Sequence, residues 1–212
     1  MSALQSLFFC GFLLLAITFS LAHASEDAKV QFFAKNDDPP PHKKLALTAR
    51  YVIHKSDWGI IGTTSTHFGR NGLPFTNIWS MADGPVDNST GIPYFYVVPN
   101  EVSVEDMNSN NEASFTVSEI GLDYCKSNQF DAEDPRCARI TLMGKVVAVK
   151  DPVEKKFALN ALFTRHPEMV DWSEAHAFFP ARMNIEMVWM LDFFGPGHVV
   201  PLKDYFEANP LA

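Results

Sequence analysis

The sequence predicts a mainly β protein with flanking helices, built as a closed or split antiparallel barrel. Three observations carry that prediction. About six β-branched or alternating runs are each bounded by Gly, Pro, Asn or Asp. Turns of hairpin type join them, where βαβ units would need a helix after every strand. Only two or three segments show helical spacing.

In chain order, Leu45, Ala49, Val52 and Ile53 follow helical spacing, and Asp57-Trp58-Gly59 supplies a stop. Ile60 to Thr66 reads as a strand, and the turn Gly69-Arg70-Asn71-Gly72 leads to a second, Pro74 to Ala82. Tyr94 to Val98 is a third, apolar enough to be buried on both faces. Ser103 is the expected cap of a short helix running to Asn108, with Asp106 three residues on. Ala113 to Ser118 alternates with period two. Ile140 to Lys150 is a further strand, interrupted at Gly144, where a bulge or a close backbone approach is expected.

The clearest helix start follows: Asp151 as cap, Pro152 at the first helical position, Glu154 at the capping-box position. Val153, Phe157 and Ala161 form its apolar face, and Pro167 ends it near His166. A last long strand places Ile185, Met187, Trp189, Leu191 and Phe193 on one face. The pairs Tyr94/Tyr96 and Trp189/Phe193 read as barrel core.

The N-terminus reads as a leader for export. Leu7 to Phe19 is an apolar run of signal-peptide length, followed by Ala22-His23-Ala24, so cleavage is expected between Ala24 and Ser25. The run falls short of the roughly 20 residues a membrane span needs, so no integral membrane segment is expected in the mature chain. Residues 25–44, ending in three prolines and two lysines, read as a flexible leader, and 45–212 as one domain. Of three cysteines, Cys10 lies in the signal. Cys125 and Cys137 remain, an even pair in a secretory chain, and one disulfide between them is the inference. The rival, a metal pair, lacks a second Cys or His pair at ligand spacing. Asn88-Ser89-Thr90 is the only N-x-[ST] sequon, in a turn-rich stretch where Asn88 would be exposed and glycosylated.

Function classes narrow by charge and by motif. Lys and Arg total 17 against 25 Asp and Glu, a net charge of −8. That balance argues against nucleic acid as a partner, because phosphate contacts need clustered cations. The composition, 47% hydrophobic and 20% charged, excludes multi-span, collagenous and wholly disordered classes. No nucleophile-elbow, P-loop, zincin or C-x-x-C motif occurs, so no catalytic or metal residue is assigned. His166 reads as a helix-end group or, less simply, a functional one.

Several ordered segments together resemble the secreted cellular repressor glycoproteins, the CREG family. They are Ala49-Arg50-Tyr51-Val52, Ser56-Asp57-Trp58-Gly59, Ala82-Asp83-Gly84-Pro85, Ile92-Pro93-Tyr94-Phe95-Tyr96, the cysteine pair, Leu162 to Met169, and Trp189 to Gly195. The resemblance covers about residues 45–207. It implies a homodimeric split β-barrel of the flavin-mononucleotide-binding, pyridoxamine-phosphate-oxidase-like superfamily. It also implies a secreted or endolysosomal glycoprotein that restrains proliferation and promotes differentiation through a surface or receptor, without enzymatic activity. The alternative is an FMN-dependent oxidoreductase of that superfamily.

Enzymes of that kind grip the flavin phosphate with an Arg, a Lys and a Ser-Arg-Lys set after a G-x-P. Here Gly72-Leu73-Pro74 is present, but Asn77 stands for the Arg and Ala82 for the Lys. Ser103-Val104-Glu105 stands for Ser-Arg-Lys. Glu101, Glu105 and Asp106 add charge of the wrong sign for a phosphate. Each missing ionic hydrogen bond costs roughly 1.5–3 kcal/mol, so no tightly held flavin is expected. Asn184-Ile185-Glu186 and Asn209-Pro210 offer no second sequon, which leaves Asn88 as the handle for glycan-mediated capture.

Overall fold

Seven antiparallel strands make up the sheet: β1 Trp58–Thr64, β2 Pro74–Ser80, β3 Tyr94–Val97, β4 Glu112–Ser118, β5 Arg139–Ala148, β6 Phe179–Leu191 and β7 His198–Val200. Their order is β2-β1-β4-β5-β6-β3, with β7 also on β6. The computed structural model describes residues 38–172 and 174–211, of which those from Pro39 onward form one compact unit. The expected signal segment, its cleavage at Ala24-Ser25 and the leader up to residue 37 lie outside the described residues. Among the described residues five α-helices accompany the sheet: α1 Leu45–Lys55, α2 Val102–Ser109, α3 Asp123–Ser127, α4 Pro152–Arg165 and α5 Leu202–Glu207. Past β2 the chain pairs back through the Ala82–Tyr94 bridge, so β3 meets the far edge of the sheet as a split barrel.

The long strand β6 serves three partners because thirteen residues outrun any one of them. Its residues 179–182 pair with β3, 188–190 with β7, and 181–191 with β5. Its register against β5 shifts at Gly144: Met143 faces Met187 while Gly144 faces Ile185, and Glu186 is the extra residue. A Cβ on Gly144 would lie 2.0 Å from the Asn184 carbonyl oxygen, so the close approach needs glycine. The shift also corrects the face assigned to this strand. Ala181 and Met183 point into the core before it, Val188 and Met190 after it. Met187, Trp189 and Leu191 therefore share a face, but it is the half-exposed outer one.

Two apolar clusters fill the interior. The larger joins Ile61, Phe95, Phe115, Leu142 and Met190 to Val52 and Ile53 of α1 and Tyr205 of α5. Each such buried side chain contributes about 1.5–3 kcal/mol. The smaller packs Ala158, Ala161 and Leu162 of α4 on Tyr94 and Met169. Tyr94 is thus core as expected, but Tyr96 and Trp189 are half-buried, and Phe193 lies exposed beyond β6. Asp151 caps α4 as expected, accepting from the N–H groups of Val153 and Glu154. Glu154 turns to Tyr94 and Arg182. For α2 the expectation fails by two residues: Glu101, not Ser103, is the cap. Three short elements, α3, α5 and β7, are additional to those expected.

Candidate functional site

Asn77 and Ser103–Glu105, which stand where the resemblance would place the cations that grip a flavin phosphate, come together at the N-terminus of α2, beside β2. A free helix end offers N–H donors and the positive end of the macrodipole to an anion. Here Glu101 takes that position. Its Oε1 accepts from Asn77 Nδ2 (2.7 Å) and from Ser103 N (3.1 Å) and Oγ (3.2 Å). Its Oε2 accepts from Val104 N (3.2 Å) and Trp79 Nε1 (3.3 Å). The donors that a phosphate would use are therefore engaged by a carboxylate of the same chain, including Asn77 and Ser103. A flavin phosphate does not fit these residues: its donors are taken and its nearest charged neighbours are anions.

One turn along α2, Asp106 ties the helix to the β1–β2 hairpin. It is inaccessible to solvent and accepts four bonds: Thr66 N (2.7 Å), Thr66 Oγ1 (2.8 Å), His67 Nδ1 (2.9 Å) and Thr63 Oγ1 (3.0 Å). Burial pushes its carboxyl up, but these donors, the Thr66 N–H foremost, outweigh it and hold the group below the ordinary carboxylate range. His67 Nε2 meets Glu105 Oε2 at 2.8 Å. The bond to Asp106, then that to Glu105, raises the imidazole above its ordinary 6.5. Both ring nitrogens face carboxylates, an arrangement that suits the doubly protonated imidazolium. The cluster holds charge in place, with His67 tied at both ring nitrogens and Asp106 at both oxygens.

Around the sequon, Asp83 is buried and organises the loop. It accepts from His54 Nδ1 (2.7 Å), Ser89 Oγ (2.6 Å) and Gly91 N (3.1 Å). Arg50 Nη2 donates to the Ser89 carbonyl (2.8 Å), and Arg165 donates to the His54 carbonyl. Thr90 Oγ1 donates to the Asp83 carbonyl at 2.5 Å. A Cβ on Gly84 would fall 1.8 Å from the Asn88 carbonyl oxygen, so this tight turn needs glycine. The outcome is a loop fixed from below with Asn88 exposed at its surface.

Cys125 and Cys137 form the disulfide, both buried, with Cα atoms 5.9 Å apart. It links α3 to the approach to β5. His166 closes the C-terminal end of α4 and places Nε2 3.1 Å from the Met81 carbonyl, a structural tie. Among the described residues no group of three metal-ligating side chains occurs, and no helix is long and apolar enough to cross a membrane.

Sequence reasoning missed two residues of consequence. His42, assigned to the leader, reaches Asp192, 150 positions away, at 2.5 Å. Glu119, in the 3-10 turn after β4, is buried with one oxygen unpartnered. A carboxylate beside the apolar ends of β4 and β6 was the available signal for both.

The family model described as CREG, beta-barrel matches residues 40–207. The chain is 40% identical to protein CREG1 of Gallus gallus over 185 residues, 86% of this chain and 95% of that one. With protein CREG2 of Homo sapiens it shares 41% over 172 residues, 81% of this chain but 59% of that longer protein. Among solved structures it resembles a heme binding protein from Mycobacterium smegmatis, with TM-score 0.60 and 17% identity over 81% of this chain and 62% of that one. It also resembles a pyridoxinephosphate oxidase family protein from Clostridium acetobutylicum, with TM-score 0.51 and 12% identity over 79% and 100%. At such identities the structural likeness is one of fold, the split barrel. The segments that carry the sequence resemblance, the matched family model and the relatives at about 40% identity agree, and the chain belongs to the CREG family.

Proposed function

We propose that this protein is a secreted or endolysosomal glycoprotein that acts as a homodimer through its surface, regulating growth and differentiation by receptor binding and without turnover. The observation that carries this reading is Glu101: a carboxylate of the chain itself fills the anion position at α2. A cofactor-dependent relative would need that position free and cationic.

Dimerisation is supported by the outer face of the sheet. Ile78, Ile60, Thr116, Thr141, Trp189 and Val199 form one cross-strand row from β2 to β7. Ile78 is 65% exposed, Ile60 43% and Val199 63%, with Trp58 beside them. Exposed apolar side chains at both ends of this row, with the hydrogen-bonded Thr116 and Thr141 between them, offer an association surface. The disulfide and the exposed Asn88 support export through an oxidising compartment.

The test is to purify the protein from the medium and record its native mass together with an absorbance spectrum. A dimer carrying one glycan per chain, removable by an amide-cleaving glycosidase, and no flavin or haem band are expected. A flavin band that survives dialysis would sink the non-enzymatic reading, and a monomer would remove the dimer.

A further inference from the structure

The three residues of the sequon are placed unequally in the loop that Asp83 organises. Asn88 is exposed, whereas Ser89 and Thr90 are half-buried. Thr90 Oγ1 donates to the Asp83 carbonyl at 2.5 Å and accepts from Ile92 N at 3.1 Å. Thr90 N donates to the same Asp83 carbonyl at 3.0 Å. Ser89 Oγ donates to Asp83 Oδ2 at 2.6 Å and accepts from Arg50 Nη2 at 2.9 Å. A sequon is defined by a hydroxyl two residues after the asparagine, so the transferase that reads it needs that hydroxyl as well as the amide. The folded loop offers the amide of Asn88 and withholds the hydroxyl of Thr90.

The fastening of this loop comes from far along the chain. Arg50 of α1 is 2% exposed and donates through Nη1 to the carbonyls of Tyr205 (3.2 Å) and Phe206 (3.4 Å) in α5. Its Nη2 donates to the Ser89 carbonyl, so one guanidinium joins the helix end to the sequon. Tyr205 is fully buried, its ring centroid 5.5 Å from that guanidinium, and its hydroxyl donates to the Gly91 carbonyl at 2.7 Å. A Cβ on Gly91 would fall 2.6 Å from Arg50 Nε, so the loop closes directly on the arginine. We propose that Asn88 accepts its glycan only before α5 docks, and that α5, through Arg50 and Tyr205, then locks the sequon against the transferase.

This rests on the reading of Asn88 as glycosylated and adds the moment at which that happens. Transfer forms a bond from the Asn88 amide nitrogen to the first sugar carbon of a lipid-pyrophosphate oligosaccharide. The bond from that carbon to the pyrophosphate oxygen breaks, and the lipid pyrophosphate leaves with the amide proton. Tyr205 lies 114 positions after Gly91, so its bond to the loop cannot form until all of that chain is made. At roughly 5–20 residues per second, synthesis leaves the sequon unfastened for about 6–23 s. The contacts within 83–92 are local and form without α5, but a short loop held by a few hydrogen bonds opens readily. Docking of α5 adds the buried guanidinium and the Tyr205 hydroxyl, and the loop then opens only with the helix.

The test takes the full chain made in a bacterial host without the transferase and folded with its disulfide closed. It is offered, beside a free peptide of residues 85–93, to purified transferase with a lipid-pyrophosphate oligosaccharide. The peptide should be modified, and the folded chain at least about a hundredfold more slowly. Tyr205→Phe keeps the ring and loses the bond to Gly91, and should speed modification of the folded chain about fivefold. A folded wild type modified as fast as the peptide, or a folded Phe variant no faster than wild type, would overturn the lock. A peptide that is itself refused would overturn the glycan reading beneath it, a failure distinct from that of the lock. Should the variant not fold, hydrogen exchange of the wild type decides. Thr90 and Gly91 amides protected to within about tenfold of the Tyr205 amide support the lock, and exchange at free-peptide rates overturns it.

Discussion

Asp106 and Glu119 are equally hidden, 0% and 1% exposed, yet they ionise in opposite directions. Asp106, at one end of the sheet, receives four donors for its two oxygens. Glu119, at the end of β4, receives one, from Ala138, and feels the charge of a second carboxylate, Asp192. Burial alone would raise both. The difference is the supply of N–H and O–H groups, which depends on what the local backbone brings within reach. Asp106 lies opposite the end of β1, where Thr63, Thr66 and His67 all turn donors toward it. Glu119 lies in a row of strand ends whose backbone groups are already paired.

The most severe way to break this contrast is Asp106→Ala. It strands the Thr63 hydroxyl and the Thr66 N–H and leaves His67 with one carboxylate, at a cost of about 4 kcal/mol. Urea unfolding at neutral pH should show a midpoint lowered accordingly. A shift under about 1 kcal/mol would mean that water replaces the carboxylate and that α2 is not pinned to the hairpin.

Next comes the pH profile of the wild type, because the two groups pull on opposite sides. Asp106 is depressed in the fold, so its contribution is present above its ordinary carboxylate value and is lost as pH falls through the folded one. Glu119 is raised, so its contribution is full below 4.5 and is lost as pH rises through about 7. At roughly 1.4 kcal/mol per unit, the Glu119 share amounts to about 3 kcal/mol across that window. Urea melts from about pH 4 to pH 9 should place maximum stability in mild acid. Glu119→Gln should flatten the alkaline limb only, and a flattened acid limb would mean that the two groups are coupled.

The β framework was legible in the sequence because alternation and turn residues are local signals. So was α4, whose Asp151-Pro152 start combines two independent preferences in adjacent residues. The face of β6 was not legible, because one inserted residue at Glu186 inverts the parity of everything after it. Nor was the α2 cap: glutamate is a weaker capping choice than serine, and Glu101 is selected by Trp79 and Asn77 on a strand more than twenty residues earlier. The disulfide was readable from cysteine parity and export, whereas the pairing of His42 with Asp192 spans 150 residues and left no local trace.

Glu101 itself gives the third test. Glu101→Ala removes a cap and two long-range acceptor bonds, for an expected loss of about 1–2 kcal/mol in chemical unfolding. A loss below a few tenths would mean that the helix end is satisfied by water, and the carboxylate would no longer count as the filled anion position.

The smallest effect separates the two halves of the His67 clamp. Glu105 is the outer partner, with its side chain 42% exposed, whereas Asp106 is wholly enclosed. A solvated ion pair gains little because water competes for both charges and two side chains lose freedom in making it. Glu105→Gln should therefore cost about 0.5 kcal/mol or less, and that cost should shrink further in high salt. The imidazole titration is the sharper readout. Asp106 is the main cause that raises His67, so proton NMR of the Gln variant should find His67 still above its ordinary 6.5, though lower than in the wild type. A return to 6.5 would place the charge control of this hairpin at the exposed carboxylate, and the contrast between an enclosed anion with many donors and one with few would then not explain this end of the sheet.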